Sequence, residues 1–308
     1  MLKFRSDALV NAILFTTLSI TWGFTWFCGR WQINNTILPE FAVCYRFLIA
    51  SLCIFAFLLI KRGLNSFKIS KEDFRLAFIY SGFSFSVNFI LFYYAALHFV
   101  TGFSAVIFSF SIIFSYLIGN WFFDFKRSLG IKLYLSVMLG IAGLVFVMFP
   151  SLASIHNLNS AIKGAILCFA ATLSFSIGAV LYESKAKTLK PDIVLMFFWC
   201  LVIGSCWSFV FGTIHSLVDD KPIVLMPDFN INFIITILYL AIPSSTIGYL
   251  CFTALINRIG SVKASYSSLV SPVIAIIVSS FLEGYKIGVY TLIGIVFISC
   301  SKFVMFAK

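Results

Sequence analysis

The chain has 308 residues, of which 61% are hydrophobic and 11% are charged, and its mean hydropathy is +1.05. A soluble domain is about half apolar and about a quarter charged, so this composition excludes a soluble globular protein. The net charge of +11 does not indicate a nucleic-acid-binding protein, because the basic residues fall in short runs between apolar segments instead of forming one basic region.

Ten apolar runs follow one another along the chain, each close to the roughly 20 residues that a helix needs to cross a hydrocarbon core. An open strand would leave backbone groups without partners in lipid, so each run predicts a transmembrane helix. No small-x-small cleavage site follows the first run, which favours a retained helix over a signal peptide. The predicted helices are Ala8–Phe27, Glu40–Ile60, Leu76–Leu97, Gly102–Phe123, Gly130–Phe149, Ile162–Tyr182, Ile193–His215, Asn232–Asn257, Val262–Leu282 and Ile287–Phe306.

Lysine and arginine are distributed unequally between the two sides of these helices. With the N-terminus inside, the predicted cytoplasmic segments hold 17 of the 22 basic residues, the opposite segments hold four, and Arg46 lies within a helix. This bias follows the positive-inside rule of membrane proteins. It predicts a multi-pass protein of the cell inner (cytoplasmic) membrane with both the N-terminus and the C-terminus in the cytoplasm.

The two halves of the sequence resemble each other. With five helices in each half, the second half enters the membrane from the opposite side, which is an inverted-topology repeat. The predicted fold is therefore an all-α polytopic membrane protein with ten transmembrane helices in two inverted five-helix repeats, residues 1–150 and 151–308, around a central cavity. A shift of 159 residues aligns Tyr80 with Tyr239, Ala95 with Ala254, Ala105 with Ala264, Ser109 with Ser268, and Asp124 with Glu283.

Residues of a known family recur in the last third of the chain, at Ala254-Leu255, Gly260, Lys263-Ala264, Ser271-Pro272, Glu283 and Gly294. This run resembles the final three helices of the EamA-type branch of the drug/metabolite transporter superfamily. Trp22-Gly23 and Arg46 resemble residues of that family's first two helices. The first half departs from the pattern, because Ile113 stands where the second half has Pro272 and Asp124 replaces the usual glutamate. The resemblance covers essentially the whole chain and implies a ten-helix transporter.

The sequence shows no motif of an enzyme or of a metal site. Its 11 acidic and three histidine residues form no His-Glu-x-x-His motif, and no phosphate loop or nucleophile elbow occurs. A membrane-embedded prenyl or glycosyl transferase would need clustered carboxylates to hold a metal and pyrophosphate, and no such cluster is present. The eight cysteines lie within apolar runs, as small buried side chains do. We therefore expect no catalytic residue, no metal and no cofactor.

Arg46 is the one charge that lies well inside an apolar run. A charge there is costly unless it faces a cavity or a partner, so a functional role is the first hypothesis. The structural alternative is an ion pair with Glu40, six residues earlier, or hydrogen bonds to helix carbonyls near the outer interface. Six residues are nearly two helical turns, so Arg46 would reach toward Glu40 only in part. The sequence leaves both alternatives open.

Polar and aromatic residues at helical spacing mark faces that would line a cavity. Asn88 shares a face of the third predicted helix with two serines, and Ser245 and Tyr249 are one turn apart in the eighth. Serine is also common at contacts between membrane helices, so packing is the alternative for these residues. A buried amide needs several partners, which strengthens the case for Asn88. The predicted substrate-binding residues are Trp22, Arg46, Asn88, Ser245, Tyr249 and Tyr266.

Together these expectations predict that the protein is a secondary transporter, which moves a small polar or amphipathic metabolite by alternating access. The resemblance to EamA-type transporters implies an amino acid or a derivative, usually exported. Uptake or exchange of S-adenosylmethionine or a nucleotide-type nutrient is the alternative, because the Phe, Ile, Lys and Asn usage is typical of the AT-rich genomes of parasites. A membrane assembly partner without a cavity is a third hypothesis. The expected partners are the substrate and the lipid bilayer, with no nucleic acid, and the chain is expected to be a monomer or a homodimer.

Overall fold

A computed structural model shows a chain that is folded almost entirely into helices. It describes residues 2–33, 37–98, 104, 107–126, 130–152, 158–220, 230–282 and 287–306, and no strand occurs among them. Ala105 and Glu283, which the repeat and the resemblance use, lie outside the described residues. The all-α prediction is therefore confirmed for the part of the chain that the structure describes.

The helices follow the predicted apolar runs with shifted ends. A turn at residues 109–110 lies inside the fourth predicted run, and the 3₁₀ turn Leu64–Phe67 follows the second helix. The α-helices are α1 (Leu2–Ile33), α2 (Pro39–Arg62), α3 (Lys71–Ser81), α4 (Asn88–Ala96), α5 (Ser111–Phe122), α6 (Ile131–Leu152), α7 (Leu158–Leu189), α8 (Ile193–Val218), α9 (Ile231–Tyr239), α10 (Tyr249–Ile259), α11 (Ser261–Ala264), α12 (Ser267–Leu282) and α13 (Val289–Phe306).

Six helical segments of the described residues are long and apolar enough to cross a membrane. They are Asp7–Trp26, Pro39–Arg62, Lys71–Ala96, Asn159–Leu189, Ile193–Val218 and Ile231–Ile259. Shorter apolar helices lie at Ser111–Phe122, Tyr134–Gly143 and Val289–Ser301. Large apolar side chains such as Ile60 and Phe281 are exposed on the surface, as side chains that face lipid are. The membrane fold is confirmed, and the full count of ten spans stays a prediction.

Single residues determine where several of the helices begin or end. Pro39 opens α2, where its missing N–H is not needed. Asp192 and Asn230 cap the starts of α8 and α9, because their side-chain oxygens accept hydrogen bonds from the first free N–H groups. Gly63 and Gly260 end α2 and α10 with φ values of 74° and 85°, a conformation that glycine adopts without strain.

Helices at equivalent positions of the two halves run antiparallel to each other. α2 and α8 pack together with Glu40 beside His215 at one end and with Arg62 beside Asp192 at the other. We call the first the Glu40 end and the second the basic end, where Arg258 of α10 also pairs with the start of α1. Opposite directions of equivalent helices are the geometry of an inverted repeat.

α6 and α13, which close the two halves, repeat this antiparallel arrangement. Ser136 and Ser301 exchange hydrogen bonds from hydroxyl to carbonyl, each 2.6 Å long. Further along α6, a Cβ on Gly143 would lie 2.7 Å from the Gly294 carbonyl oxygen and 2.9 Å from the Ile298 nitrogen. The lack of a side chain at Gly143 therefore permits the close approach of the two helices.

We expect Gly143→Ala to destabilise the protein, because the new Cβ would meet backbone atoms that cannot rotate away. Overpacking of this kind costs about 1–3 kcal/mol, and thermal unfolding in detergent measures it. Gly130→Ala is the matched control, since nothing lies within 4 Å of a Cβ at that position. This variant should unfold at the same temperature as the wild type. Equal unfolding temperatures for the two variants would contradict the close contact of α6 and α13.

Two π-helical segments interrupt the regular helices. Gly82–Val87 joins α3 to α4, and Leu240–Gly248 joins α9 to α10. A shift of 159 residues moves the first segment to 241–246, inside the second, so the two halves share this irregularity. Hydropathy predicted regular helices here, and the sequence signal was Pro243 alone, which has no N–H to donate. Such wide turns occur frequently at functional sites.

The ninth predicted helix, Val262–Leu282, is broken in the structure. α11 ends at Ala264, a turn follows, and α12 begins at Ser267. The buried Glu183 carboxylate accepts hydrogen bonds from the N–H and the hydroxyl of Ser261, at 2.8 and 2.6 Å, and so holds the start of α11. Hydropathy does not detect such a break, because most residues around the turn are apolar or small.

Candidate functional site

A cavity of about 80 Å³ lies between helices of both halves. A single water needs roughly 10–15 Å³ of such space, so the cavity has room for a small ligand group. The first half contributes α1, α2, α4 and the region before α5, and the second half contributes its π segment, α10 and α12. The lining residues are Trp22, Thr25, Trp26, Gly29, Arg46, Asn88, Phe89, Phe92, Tyr93, Ala96, Ser104, Phe108, Ser244, Tyr249 and Ser271.

Arg46 brings a positive charge to this cavity, with only 1% of its surface exposed. Its Nε donates to the Ser245 hydroxyl at 2.7 Å, and its Nη2 donates to the Ser244 hydroxyl at 2.8 Å. The guanidinium carbon lies 4.5 Å from the ring centre of Phe89, a cation–π contact. None of these three partners carries a charge.

Glu40 is not the partner of Arg46, so the ion pair that the sequence left open is wrong. The Glu40 carboxylate accepts a hydrogen bond from the Tyr94 hydroxyl at 2.9 Å and lies 3.0 Å from His215 Nδ1. In the part of the chain that the structure describes, no carboxylate forms an ion pair with Arg46. Its charge is therefore available to an anionic ligand.

The second π segment places its serines against both of the first helices. The Ser244 hydroxyl accepts a hydrogen bond from Thr25 Oγ1 at 2.6 Å, and its carbonyl accepts one from Trp22 Nε1 at 3.3 Å. Gly248 leaves room for this indole, since a Cβ there would lie 2.6 Å from Trp22 Nε1. Together with its bond to Arg46, Ser244 thus links α1 and α2 of the first half to the second half.

Asn88 and Ser104 add buried polar atoms to the cavity wall. Asn88 Nδ2 donates to the Ser84 carbonyl at 3.3 Å. Asn88 Oδ1 and the Ser104 hydroxyl have no hydrogen-bond partner among the described residues. A buried polar atom without a partner costs about 1–3 kcal/mol, and a ligand that hydrogen-bonds to these atoms removes that cost.

The rest of the wall is aromatic. The ring centre of Trp22 lies 5.2 Å from that of Tyr249 and 6.1 Å from that of Phe108. Trp26 packs edge to face against Phe92 at 5.6 Å. Such rings bury large apolar areas and attract cations to their faces. The cavity therefore suits an amphipathic ligand, with an anionic group at Arg46 and an apolar part against the rings.

Toward the basic end, four buried aromatic side chains close the cavity: Tyr80, Phe85, Tyr182 and Tyr249, which we call the aromatic plug. Ring centres are 4.6 Å apart between Phe85 and Tyr249, 5.3 Å between Tyr80 and Phe85, and 5.1 Å between Tyr80 and Tyr182. Asn257, near the end of α10, donates to the Tyr182 hydroxyl at 3.1 Å. The plug therefore fills the space between the cavity and the basic end.

Toward the Glu40 end, the cavity continues along the helices of the first half. Its lining extends to Gly29 near the end of α1 and to Ala96 at the end of α4. Tyr93, one turn before Ala96, donates its hydroxyl hydrogen to the side chain of Gln32. The cavity thus extends toward the Glu40 end and has the aromatic plug on its other side.

The structure brings five of the six predicted site residues together. Ser245 lies directly behind the cavity wall as the partner of Arg46 Nε. Tyr266 lies elsewhere, with its hydroxyl 3.0 Å from the Ser301 hydroxyl of α13, in a packing contact away from the cavity. The binding roles of the six residues stay a prediction. The four that line the cavity are Trp22, Arg46, Asn88 and Tyr249.

Sequence reasoning missed several lining residues, among them Trp26, Phe92, Phe108 and Ser244. With 38 phenylalanines in the chain, an aromatic residue at helical spacing does not distinguish a cavity from a lipid-facing surface. Ser244 did have a signal, since Pro243 followed by two serines within an apolar run marks an irregular, polar helix. Irregular backbone at membrane depth occurs where it lines a cavity or is buried in protein.

The chemistry that the cavity offers is recognition of a ligand. It combines one cation with hydroxyl, amide and aromatic groups. Among the described residues, no three His, Cys, Asp or Glu side chains are grouped to hold a metal ion. Cys28, the cysteine nearest to the lining residues in sequence, is a free thiol.

The chain is similar over most of its length to two bacterial proteins. It is 25% identical over 291 residues to Protein PagO of Salmonella typhimurium, which covers 92% of this chain and 89% of that protein. It is 28% identical over 283 residues to an uncharacterized transporter of Buchnera aphidicola subsp. Schizaphis graminum, covering 90% and 86%. A solved crystal structure with 12% identity matches 98% of this chain and 96% of its own chain with a TM-score of 0.75, which shows the same fold.

The family model for the EamA-like transporter family matches this chain twice. The matched residues are 10–149 and 162–307, so the two matches cover nearly the whole sequence and each lies in one half. The resemblance that the residues of the last third indicated is therefore confirmed. The chain belongs to the EamA-like transporter family, and the protein is a membrane transporter.

Proposed function

We propose that this transporter moves a small polar or amphipathic metabolite with a carboxylate, an amino acid or a derivative of one, out of the cell by alternating access. The observation that carries the proposal is Arg46, a buried guanidinium at the cavity whose partners are all neutral. A planar guanidinium binds a carboxylate through two parallel hydrogen bonds. Export follows from the resemblance to EamA-type transporters.

The charge of Arg46 favours an anion over a neutral ligand. A buried cation in a membrane protein is expensive until it gains a partner, and two serine hydroxyls offset only part of that cost. A carboxylate supplies both the counter-charge and two acceptors, in surroundings where charges interact more strongly than in water. The corresponding amide has no charge at that position, so it loses most of this interaction. Asn88 and Ser104 then contact the polar remainder of the ligand.

The arrangement of the two halves supports alternating access. The cavity extends toward the Glu40 end, whereas the aromatic plug lies between it and the basic end. Because equivalent helices run antiparallel, each half can adopt the packing of the other, which opens the basic end and closes the Glu40 end. Glycines at close helix contacts, such as Gly143 and Gly248, leave no side chains that would block this movement.

The charge bias assigns the two ends to the two sides of the membrane. Arg62 and Arg258 lie at the basic end, and both belong to the predicted cytoplasmic segments. Under the positive-inside rule the basic end then faces the cytoplasm, as do both termini. In this conformation the cavity is directed toward the outside of the cytoplasmic membrane.

Uptake or exchange of a nucleotide-type nutrient, S-adenosylmethionine included, is the second candidate. The aromatic wall favours it, because a planar base packs well against tryptophan and phenylalanine rings. Arg46 would then hold a carboxylate or a phosphate. The third hypothesis, an assembly partner, predicts a continuous packed core. The cavity beside Arg46, whose partners among the described residues are neutral, is evidence against it.

Transport into proteoliposomes tests the proposal. The reconstituted protein is given labelled amino acids, the corresponding amino-acid amides, nucleosides and S-adenosylmethionine, with protein-free liposomes as the control. We expect accumulation or exchange of carboxylate-bearing compounds and little movement of the matching amides. Equal movement of an acid and its amide would contradict the role of the carboxylate. Movement of S-adenosylmethionine without movement of the amino acids would favour the second candidate.

A further inference from the structure

A second cluster of ionisable groups lies outside the cavity, at the Glu40 end. It joins Glu40 at the start of α2, Tyr94 in α4, and His215 and Asp219 at the end of α8. Glu40 is buried, with 5% of its surface exposed. The substrate site proposed above uses none of these four residues.

The two contacts of the His215 ring show how many protons the cluster needs. Its Nδ1 lies 3.0 Å from Glu40 Oε1, and its Nε2 lies 3.2 Å from Asp219 Oδ2. An ionised carboxylate only accepts hydrogen bonds, and a neutral imidazole carries one N–H. With both acids ionised and the ring neutral, one of the two contacts lacks a hydrogen. One additional proton, on the ring or on the Glu40 carboxyl, gives both contacts a donor.

The hydroxyl of Tyr94 does not supply this proton. The Tyr94 hydroxyl lies 2.9 and 3.0 Å from the two Glu40 oxygens and 3.0 Å from His215 Nδ1, but it has one hydrogen to donate. Among the described residues, His215 is the only basic group in ion-pair contact with Glu40. Arg46, the next charged residue on α2, is bonded to serines instead. One bound proton therefore completes the hydrogen bonds of the cluster.

We propose that Glu40 and His215 form a proton-binding site that couples substrate movement to proton movement. The inference rests on the transport function proposed above. When the proton is present, the start of α2 is held to the end of α8 by a complete set of hydrogen bonds. When it leaves, one His215 contact loses its donor, and the contact between these two helices weakens.

The position of this site links it to the substrate cavity. α2 also carries Arg46, and Tyr94 is the neighbour of Tyr93, which lines the cavity. The helices are close here, since a Cβ on Gly212 of α8 would lie 3.1 Å from Glu40 Cβ. Proton binding therefore stabilises the conformation that the structure shows.

The pH dependence of unfolding tests the site without any substrate. The folded protein gains a contact from the proton and the unfolded chain does not, so stability should fall when a rise in pH removes that proton. Glu40→Gln should flatten this dependence, because an amide either donates or accepts and so satisfies a neutral ring. His215→Gln should flatten it as well. Asp220→Asn, a change of an exposed neighbour, should keep the wild-type dependence.

The same pH dependence in all four proteins would overturn the proton site. Should Glu40→Gln fail to fold, the comparison of His215→Gln with Asp220→Asn decides the question by itself. Failure of the transport proposal is a separate result, because it appears as no movement of any compound in the panel.

Coupling is measured in proteoliposomes with a pH gradient. The gradient should drive accumulation of a transported compound by the wild type and by Asp220→Asn. Glu40→Gln should lose the driven accumulation and still exchange labelled for unlabelled compound, because exchange needs no net proton movement. Gradient-driven accumulation by Glu40→Gln at the wild-type level would contradict the coupling.

Discussion

Replacing Arg46 by alanine should abolish transport, with the protein still folded. The variant loses the only charge that lines the cavity among the described residues and with it the two hydrogen bonds that we propose for a substrate carboxylate. Hydrogen bonds between charged groups contribute about 1.5–3 kcal/mol each, so the affinity should fall by roughly two to four orders of magnitude. Quenching of tryptophan fluorescence measures binding, since Trp22 and Trp26 line the same cavity, and proteoliposome uptake measures transport.

Two further variants serve as controls. The first tests whether a positive charge at position 46 is sufficient without the planar guanidinium, and the second tests whether the loss of an arginine elsewhere affects transport. Arg46→Lys keeps the charge without the planar fork, so it should restore only a small part of the activity. Arg258→Ala removes a partly exposed arginine that pairs with Asp7 at the basic end. Pairs of that kind contribute about 0–1 kcal/mol, so transport should stay near the wild-type rate. Full activity of a monodisperse Arg46→Ala protein would show that Arg46 is structural.

A cysteine at position 96 should react rapidly with a membrane-impermeant thiol reagent, and a cysteine at position 253 should be protected in the same conformation. Ala96 lines the cavity at the last residue of α4, on the side of the Glu40 end. Thr253 is buried on α10, one turn beyond Tyr249 of the aromatic plug and closer to the basic end. When the halves exchange conformations the pattern should invert, with position 253 labelled from the basic side and position 96 protected.

This experiment needs a background without the eight native cysteines, and an exposed site provides its reference. Asp220→Cys, at the end of α8, should be labelled at one rate in every condition. Addition of a transported compound should change the labelling rates at positions 96 and 253 in opposite directions. If both positions stay inaccessible from both sides, with and without substrate, the cavity is a packing feature and alternating access is wrong.

Arg46 could be singled out from the sequence, whereas its partners could not. A charge inside an apolar run is costly wherever the helix packs, so the hypothesis needed only local information. The serines that bind it lie 198 and 199 residues away, and many serines in this chain have equivalent spacing. For Tyr266, the sequence indicated a cavity position that the structure does not show. Its helix position resembles that of a cavity residue, but the turn before α12 leaves it against Ser301.

The pairing of Glu40 with His215 had no sequence signal either. The two residues are 175 positions apart, and each stands near a predicted helix end where a solvated side chain is the usual expectation. Only the antiparallel packing of α2 against α8 brings them together and removes Glu40 from solvent. The same packing excludes the ion pair between Glu40 and Arg46 that helical spacing had left open.

The sequence by itself determined that this protein is a helical membrane transporter built from two similar halves. Hydropathy and the need for internal backbone hydrogen bonds in lipid act on each segment separately, so they can be read along the chain. The tertiary structure alone decided which side chains share the cavity and which acid lies beside His215. These features depend on how helices of different halves cross, and contacts between residues so far apart in the chain leave no periodic pattern in a single sequence.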